Sequence, residues 1–286
     1  MRTRWSWRVA ETLSWLPVGI GLRVRSAARA SDLTEERLDF GPDPAQHVLL
    51  VRPKDASPEV PLVYFVHGGS WHAGSPERYR AVGRFFARHG YPVALAGYRH
   101  APDAVFPAQL HDTLDGLAAA LPHARAAGLR ADRVLLAGQS AGAHLAALAV
   151  FDLETRERRG LGTLDIAGML AISGPLDFGV LCPRRSLCPA IERLMGGPDG
   201  WAAADPARFA HAGPAVPVLC LHGSRDPLVP PEVAASFVLR VNGSEGDHAV
   251  FMADPAAHHA DLTRLLFGRS PLTPAMLAWM AEVSRS

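Results

Sequence analysis

From residue 46 to the end of the chain, short unbroken runs of apolar and β-branched residues alternate with longer stretches whose apolar positions recur at helical spacing. The runs are VLLV (48–51), LVYFVH (62–67), PVALAGY (92–98), RVLLAG (133–138), IAGMLAIS (166–173), PVLCLHG (217–223) and AVFMA (249–253). Unbroken rather than alternating apolarity is the pattern of strands buried on both faces. PERYRAVGRFFARHG (76–90) and PAQLHDTLDGLAAALPHARAAGL (107–129) read as amphipathic helices, and LTPAMLAWMAEV (272–283) as a closing helix with an apolar face. Strands and helices in succession predict an α/β fold, a mostly parallel central sheet flanked by helices. No linker or composition break divides residues 46–286, which read as one domain preceded by a separate segment, 1–45.

That N-terminal segment follows a different pattern. Its most apolar stretch, TLSWLPVGIGL (12–22), is about half the roughly 20 residues a membrane-spanning helix needs, and Pro17 interrupts it. Trp5, Val9, Leu13 and Leu16 share one helical face while Arg4, Arg8 and Glu11 lie on the other, which predicts an amphipathic helix. Three fates are open. The helix packs over the body as a small cap, which is the expectation adopted here for residues 1–30. Alternatively it makes peripheral contact with a membrane, since Trp with Arg is the composition of interfacial helices. The third fate is a signal peptide ending at Ala28-Arg29-Ala30, opposed by Arg23, Arg25 and Arg29 beyond the apolar core.

Composition narrows the partners. The 286 residues are 48% hydrophobic and 20% charged, an ordinary globular balance, and the formal net charge of +1 gives no global field to attract nucleic acid. The charge is uneven, because residues 1–30 carry six arginines against one acid. Three cysteines are too few for a disulfide scaffold, and without a Cys-x-x-Cys they are poorly spaced for zinc. Cys220, in the run VPVLCL, reads as an inert buried thiol. Cys182 and Cys188 share a short loop and could close a local disulfide in an oxidising compartment. Thirteen histidines invite a metal hypothesis, but none shows a recognised ligand spacing, so neither a metal nor a cofactor is expected. The expected location is the cytoplasm, with secretion or membrane association left open.

Two segments carry chemistry. Gly138-Gln139-Ser140-Ala141-Gly142 fits Gly-x-Ser-x-Gly directly after one predicted strand and directly before the apolar stretch AGAHLAALAVF. A serine in such a strand-to-helix turn is lifted clear of the sheet, and the helix that follows aims its amides and positive dipole end at the same point. His67-Gly68-Gly69-Ser70-Trp71 closes the strand LVYFVH. In a glycine-rich turn, backbone amides can face a developing oxyanion with no side chain in the way, which makes the amides of Gly69, Ser70 and Ala141 the candidate oxyanion hole.

With these motifs the sequence resembles the α/β-hydrolase superfamily, specifically the carboxylesterases and lipases related to hormone-sensitive lipase and the arylformamidases that carry His-Gly-Gly-x-Trp. The resemblance runs from about residue 60 to 265. It includes Tyr98-Arg99-His100-Ala101-Pro102, Phe106-Pro107-Ala108 and Ile172-Ser173-Gly174-Pro175-Leu176-Asp177. Ser70 stands where the esterases usually have a third glycine, which shifts weight towards the His-Gly-Gly-x-Trp branch. The superfamily order Ser, acid, His then implies Asp226, in His-Gly-Ser-Arg-Asp-Pro-Leu-Val-Pro after the strand PVLCLHG, with Asp177 as rival. His222, at the strand end, reads as structural. For the histidine, the likeness of His-Ala-Asp-Leu to the relatives' His-Phe-Asp-Leu selects His259, and its neighbour His258 stays open.

The expected activity is hydrolysis of small-molecule carboxylic esters by a Ser140–His259–Asp226 catalytic triad through an acyl-serine intermediate. An arylformamidase would use the same residues on an N-formyl aryl amide. A lipase acting at a lipid surface and a non-catalytic binding protein on the same fold are the other readings. Trp71, Phe178, Leu181 and Trp201 are candidates for the acyl pocket, with burial in the core as the default for each.

Overall fold

The strands are β1 (Leu33–Asp39), β2 (His47–Pro53), β3 (Pro61–Val66), β4 (Val93–Ala96), β5 (Arg130–Gln139), β6 (Asp165–Ile172), β7 (Val218–Gly223) and β8 (Ala249–Asp254). They form one sheet in the order β1-β2-β4-β3-β5-β6-β7-β8. β2 runs antiparallel to β1 and β4, and every pairing from β4 to β8 is parallel. The computed structural model describes residues 31–286 apart from 184–187, 212, 244–245, 260, 262–263, 266–267 and 286. The amphipathic helix expected within residues 1–30 lies outside the described residues.

The seven predicted strands are all present, with ends shifted by a few residues. The unbroken apolar runs have the cause inferred for them: successive residues of β3 feed opposite faces, Leu62, Tyr64 and Val66 entering one apolar cluster and Val63 and Phe65 the other. The first cluster holds the buried sides of α2 (Ala108–Ala126), α3 (Ala141–Phe151) and α7 (Pro231–Asn242), and the second those of α1 (Arg80–Arg88) and α8 (Leu272–Arg285). All residues of α3 are buried, as expected of a helix apolar all round. No helix among the described residues is long and apolar enough to cross a membrane.

One boundary differs from expectation. Residues 33–39, expected as part of the 1–45 segment, form β1, the edge strand of the same sheet. Its sequence LTEERLD has no apolar alternation, because its charged side chains are partnered by tertiary neighbours. Glu35 accepts from Arg80 at 3.0 Å and from Arg84 at 2.6 Å, both on α1. Glu36 meets Arg52 at 3.2 Å and His123 at 3.0 Å. The sheet therefore begins at Leu33.

After α4 (Leu153–Arg158) comes β6, and between β6 and β7 the chain builds α5 (Phe178–Leu181) and α6 (Pro189–Met195), followed by two short 3-10 turns at Trp201–Ala204 and Pro206–Arg208. Cys182, after α5, and Cys188, before α6, are joined in a disulfide with Cα atoms 6.0 Å apart. Cys220 is free and buried, and burial pushes its thiol up to about 12.

Candidate active site

Ser140 sits between the end of β5 and the start of α3 with φ 53° and ψ −122°, a left-handed backbone that costs a non-glycine residue roughly 1–3 kcal/mol. The surroundings hold it there. Its amide donates to the Ile172 carbonyl of β6 at 2.8 Å, and its own carbonyl accepts the amide of His144 at 3.2 Å, starting the helix. Glycine at 142 is required by packing, since a Cβ there would run into the carbonyl oxygens of Val66 and His67. The helix thus sits directly on the end of β3.

The turn after β3 is the second strained segment. Ser70 and Trp71 have φ 50° and 59°, and the carbonyl of Gly69 accepts the amides of His72 and Ala73 at 3.1 and 3.0 Å. Tyr79 ties this turn to the serine elbow, its hydroxyl accepting the Gly68 amide at 3.1 Å and donating to Gln139 Oε1 at 2.8 Å. Trp71 is fixed from the far side. Its indole N–H donates to His144 Nδ1 at 3.2 Å, and His144 Nε2–H donates to the Ala204 carbonyl at 2.6 Å. This pattern requires a neutral imidazole, and burial holds His144 down at about 4.

His259 joins the two other candidates. Its Nδ1–H donates to Asp226 Oδ2 at 2.7 Å, since a carboxylate only accepts, and its bare Nε2 accepts from the Ser140 hydroxyl at 2.8 Å. All three are buried. Asp226 Oδ1 takes the amides of Leu228 and Val229, each at 2.9 Å. Burial alone would push this carboxyl up, but hydrogen bonds from His222 and His259 and from the Val229 amide outweigh it and hold the acid well below the usual carboxylate range. The loop bearing His259 lies so close on β7 that a side chain at Gly223 would strike the carbonyls of Ala257 and His258.

The alternatives sort themselves by position. His258 is exposed, its ring 2.9 Å from the Arg225 carbonyl. Asp177 caps α5 through the Val180 amide and binds Ser236 at 2.7 Å and Arg240 at 2.9 Å. A cleft with about 490 Å³ of empty space opens over Ser140, Ser70, Ala141 and His259. Its apolar walls come from Trp71, Pro175, Leu181, Cys188, Ile191 and Val229. Of the four side chains considered for the pocket, Trp71 and Leu181 line it, whereas Phe178 is buried against His144 and Trp201 against Phe178. The contributions of Leu228 and Val229 went unread in the sequence, although Pro227 and Pro230, which bracket them, mark a shaped turn.

The family profile described as BD-FAE matches residues 49–240. Among curated proteins the chain is similar to esterase LipC of Mycobacterium tuberculosis, 29% identical over 268 residues that cover 87% of this chain and 65% of that protein. It is also similar to a probable isoprenylcysteine alpha-carbonyl methylesterase of Oryza sativa subsp. japonica, 34% identical over 121 residues that cover 42% of this chain and 29% of the other. The chain thus spans less than two thirds of the length of these relatives. Among solved structures, a bacterial heroin esterase superposes with a TM-score of 0.74 at 23% identity, covering 98% of this chain and 91% of the other. Esterase B of Lactobacillus rhamnosis, inhibited by a tributyrin phosphonate, superposes with a TM-score of 0.77 at 21% identity, covering 99% and 97%. The shared fold is that of the α/β-hydrolases.

Proposed function

The chain belongs to the BD-FAE family and carries the α/β-hydrolase fold, and from that premise we propose that it hydrolyses small-molecule carboxylic esters through an acyl-serine intermediate. The observation that carries this reading is the unbroken hydrogen-bonded line from Asp226 through His259 to Ser140, ending at an apolar cleft.

Ser140 Oγ attacks the ester carbonyl while His259 Nε2 takes its proton, and Asp226 keeps Nδ1 protonated and stabilises the imidazolium. The amides of Gly69, Ser70 and Ala141 receive the tetrahedral oxyanion, a donor of this kind contributing about 3 kcal/mol. Collapse expels the alcohol, which collects the proton from His259. Water, deprotonated by the same nitrogen, then releases the acid and restores the serine. The strain at Ser140 and at Ser70–Trp71 serves this reaction, because nucleophile and oxyanion donors are set before substrate arrives.

The names of the relatives, esterases in both comparisons, support an ester over a formamide. The test is turnover of a p-nitrophenyl ester series alongside N-formylkynurenine, with mass spectrometry of the protein after an organophosphate. Ester hydrolysis with a single adduct on Ser140 is expected. Faster turnover of the formamide would move the activity to arylformamide hydrolysis, and an adduct elsewhere would remove Ser140 from the mechanism.

A further inference from the structure

A second cavity, with about 300 Å³ of empty space, also borders His259, and its walls include Ser173, His222, Asp254 and Ser270. His222 occupies an unusual position there. Its side chain is completely buried at the end of β7, and Nε2 lies 2.8 Å from the Val229 carbonyl oxygen and 3.1 Å from Asp226 Oδ2. Both neighbours are acceptors, so Nε2 bears the proton and Nδ1 is the bare nitrogen. Nδ1 has no hydrogen-bond partner among the described residues.

The single N–H of His222 is therefore shared between the carboxylate and Val229, whose own amide grips that carboxylate's other oxygen at 2.9 Å. Oδ2 in turn is the oxygen that receives His259 Nδ1–H. We propose that His222 is a positioning residue for ester hydrolysis, locking the Asp226 carboxylate under His259 and dispersing the charge on the oxygen they share. The inference rests on the serine-hydrolase reading of the site.

Two consequences separate this role from mere packing. With Oδ1 held by two amides and Oδ2 by two imidazoles, the carboxylate cannot rotate, and the His259 ring is aimed at Ser140 Oγ. A carboxylate whose charge is partly taken up by His222 also pulls less on a proton at His259 than a free one would, so removing the His222 donor should strengthen that pull. Among the described residues, three further ionisable groups line the same cavity. Asp254 approaches from the end of β8 and pairs with Arg264 at 3.6 Å, and His258 and Asp261 belong to the ring's own loop.

The experiment compares His222→Phe, which keeps a ring and loses the donor, with His222→Gln, whose amide nitrogen can reach the place of Nε2. Should the Phe variant fail to fold, His222→Asn replaces it, because its amide is too short to reach Asp226. In the donorless variant kcat for p-nitrophenyl acetate should fall about ten-fold or more with KM little changed. The acid limb of the kcat/KM profile should move up by about half a pH unit. The Gln variant should recover most of both. NMR titration of the His259 ring should show the same upward shift without reference to turnover, which keeps the result readable if the ester assignment fails. An unmoved His259 titration in the donorless variant overturns the proposal. So does equal loss of activity in both variants with a lowered Tm, which would make His222 a packing residue.

Discussion

Removing one oxygen atom, in Ser140→Ala, takes away the nucleophile but keeps the Cβ, and with it the strained backbone, without opening the core, so kcat for ester hydrolysis should drop by about a thousand-fold or more with little change in Tm. The two adjacent histidines separate as cleanly. On the proposed mechanism His259→Ala removes the base and should cost a comparable factor, whereas His258→Ala loses an exposed ring and should stay within about three-fold of the parent protein. Because only the neutral imidazole of His259 accepts the serine proton, kcat/KM should rise with pH along a single acid limb. Asp226 adds no second limb above it, its carboxyl being held ionised far below that range by His222 and His259. A steady-state pH profile of the three proteins checks ranking and shape together; a two-proton limb would mean a second essential group.

At the scale of elements, α3 and the segment between β6 and β7 meet through His144. It sits one helical turn after Ser140, accepts from Trp71 in the oxyanion turn and donates to Ala204, so one neutral ring braces three elements around the cleft. Its folded value near 4 lies below the ordinary 6.5, so the folded state disfavours the proton. Stability from this group is complete above the ordinary value and is lost as pH falls from about 6.5 towards about 4, up to roughly 3 kcal/mol in all. His144→Gln keeps an acceptor for the indole and a donor for Ala204 without titrating. Urea unfolding at neutral pH and near the lower end of that window should show the parent protein losing more stability than the variant. Equal losses would place the acid sensitivity elsewhere, His67, held down at about 3 by burial, being the next candidate.

For the whole molecule, the loops at the ends of the sheet's strands carry Ser140, Asp226 and His259, and the insert between β6 and β7 lines the cleft beside them. Leu181, Cys188, Ala190 and Ile191 come from that insert and wall one side of the cleft. The disulfide between Cys182 and Cys188 ties the end of α5 to the start of α6. Bulky aliphatic walls lining the same cleft as Ser140 suit short acyl groups. In a p-nitrophenyl series from acetate to palmitate, kcat/KM should peak at acetate to butyrate, and Ile191→Ala should move the peak to longer chains while leaving acetate turnover within a few-fold. A maximum at long chains in the parent protein would contradict the assignment of these walls.

The sequence alone determined what depends on local order. Short, β-branched apolar runs bounded by turn residues read as strands covered on both faces, and Gly-x-Ser-x-Gly between such a run and an apolar helix reads as a sharp turn, so β2 to β8 and the place of Ser140 were readable from residue order. Asp226 and His259 were candidates only through the resemblance to the α/β-hydrolases, and neighbouring His258 could not be separated from His259, because which of two adjacent loop residues turns inward is set by the floor beneath them. That floor is Gly223, and only the folded chain brings it under residues 257–258. β1 escaped notice for a related reason: its glutamates are satisfied by arginines on α1 and by Arg52 and His123, so nothing in LTEERLD itself marks a strand. The cleft walls and the grip of His222 on Asp226 were likewise left to tertiary structure. Contacts between distant segments depend on which surfaces the sheet order brings face to face, and no local pattern of apolar and polar residues encodes that.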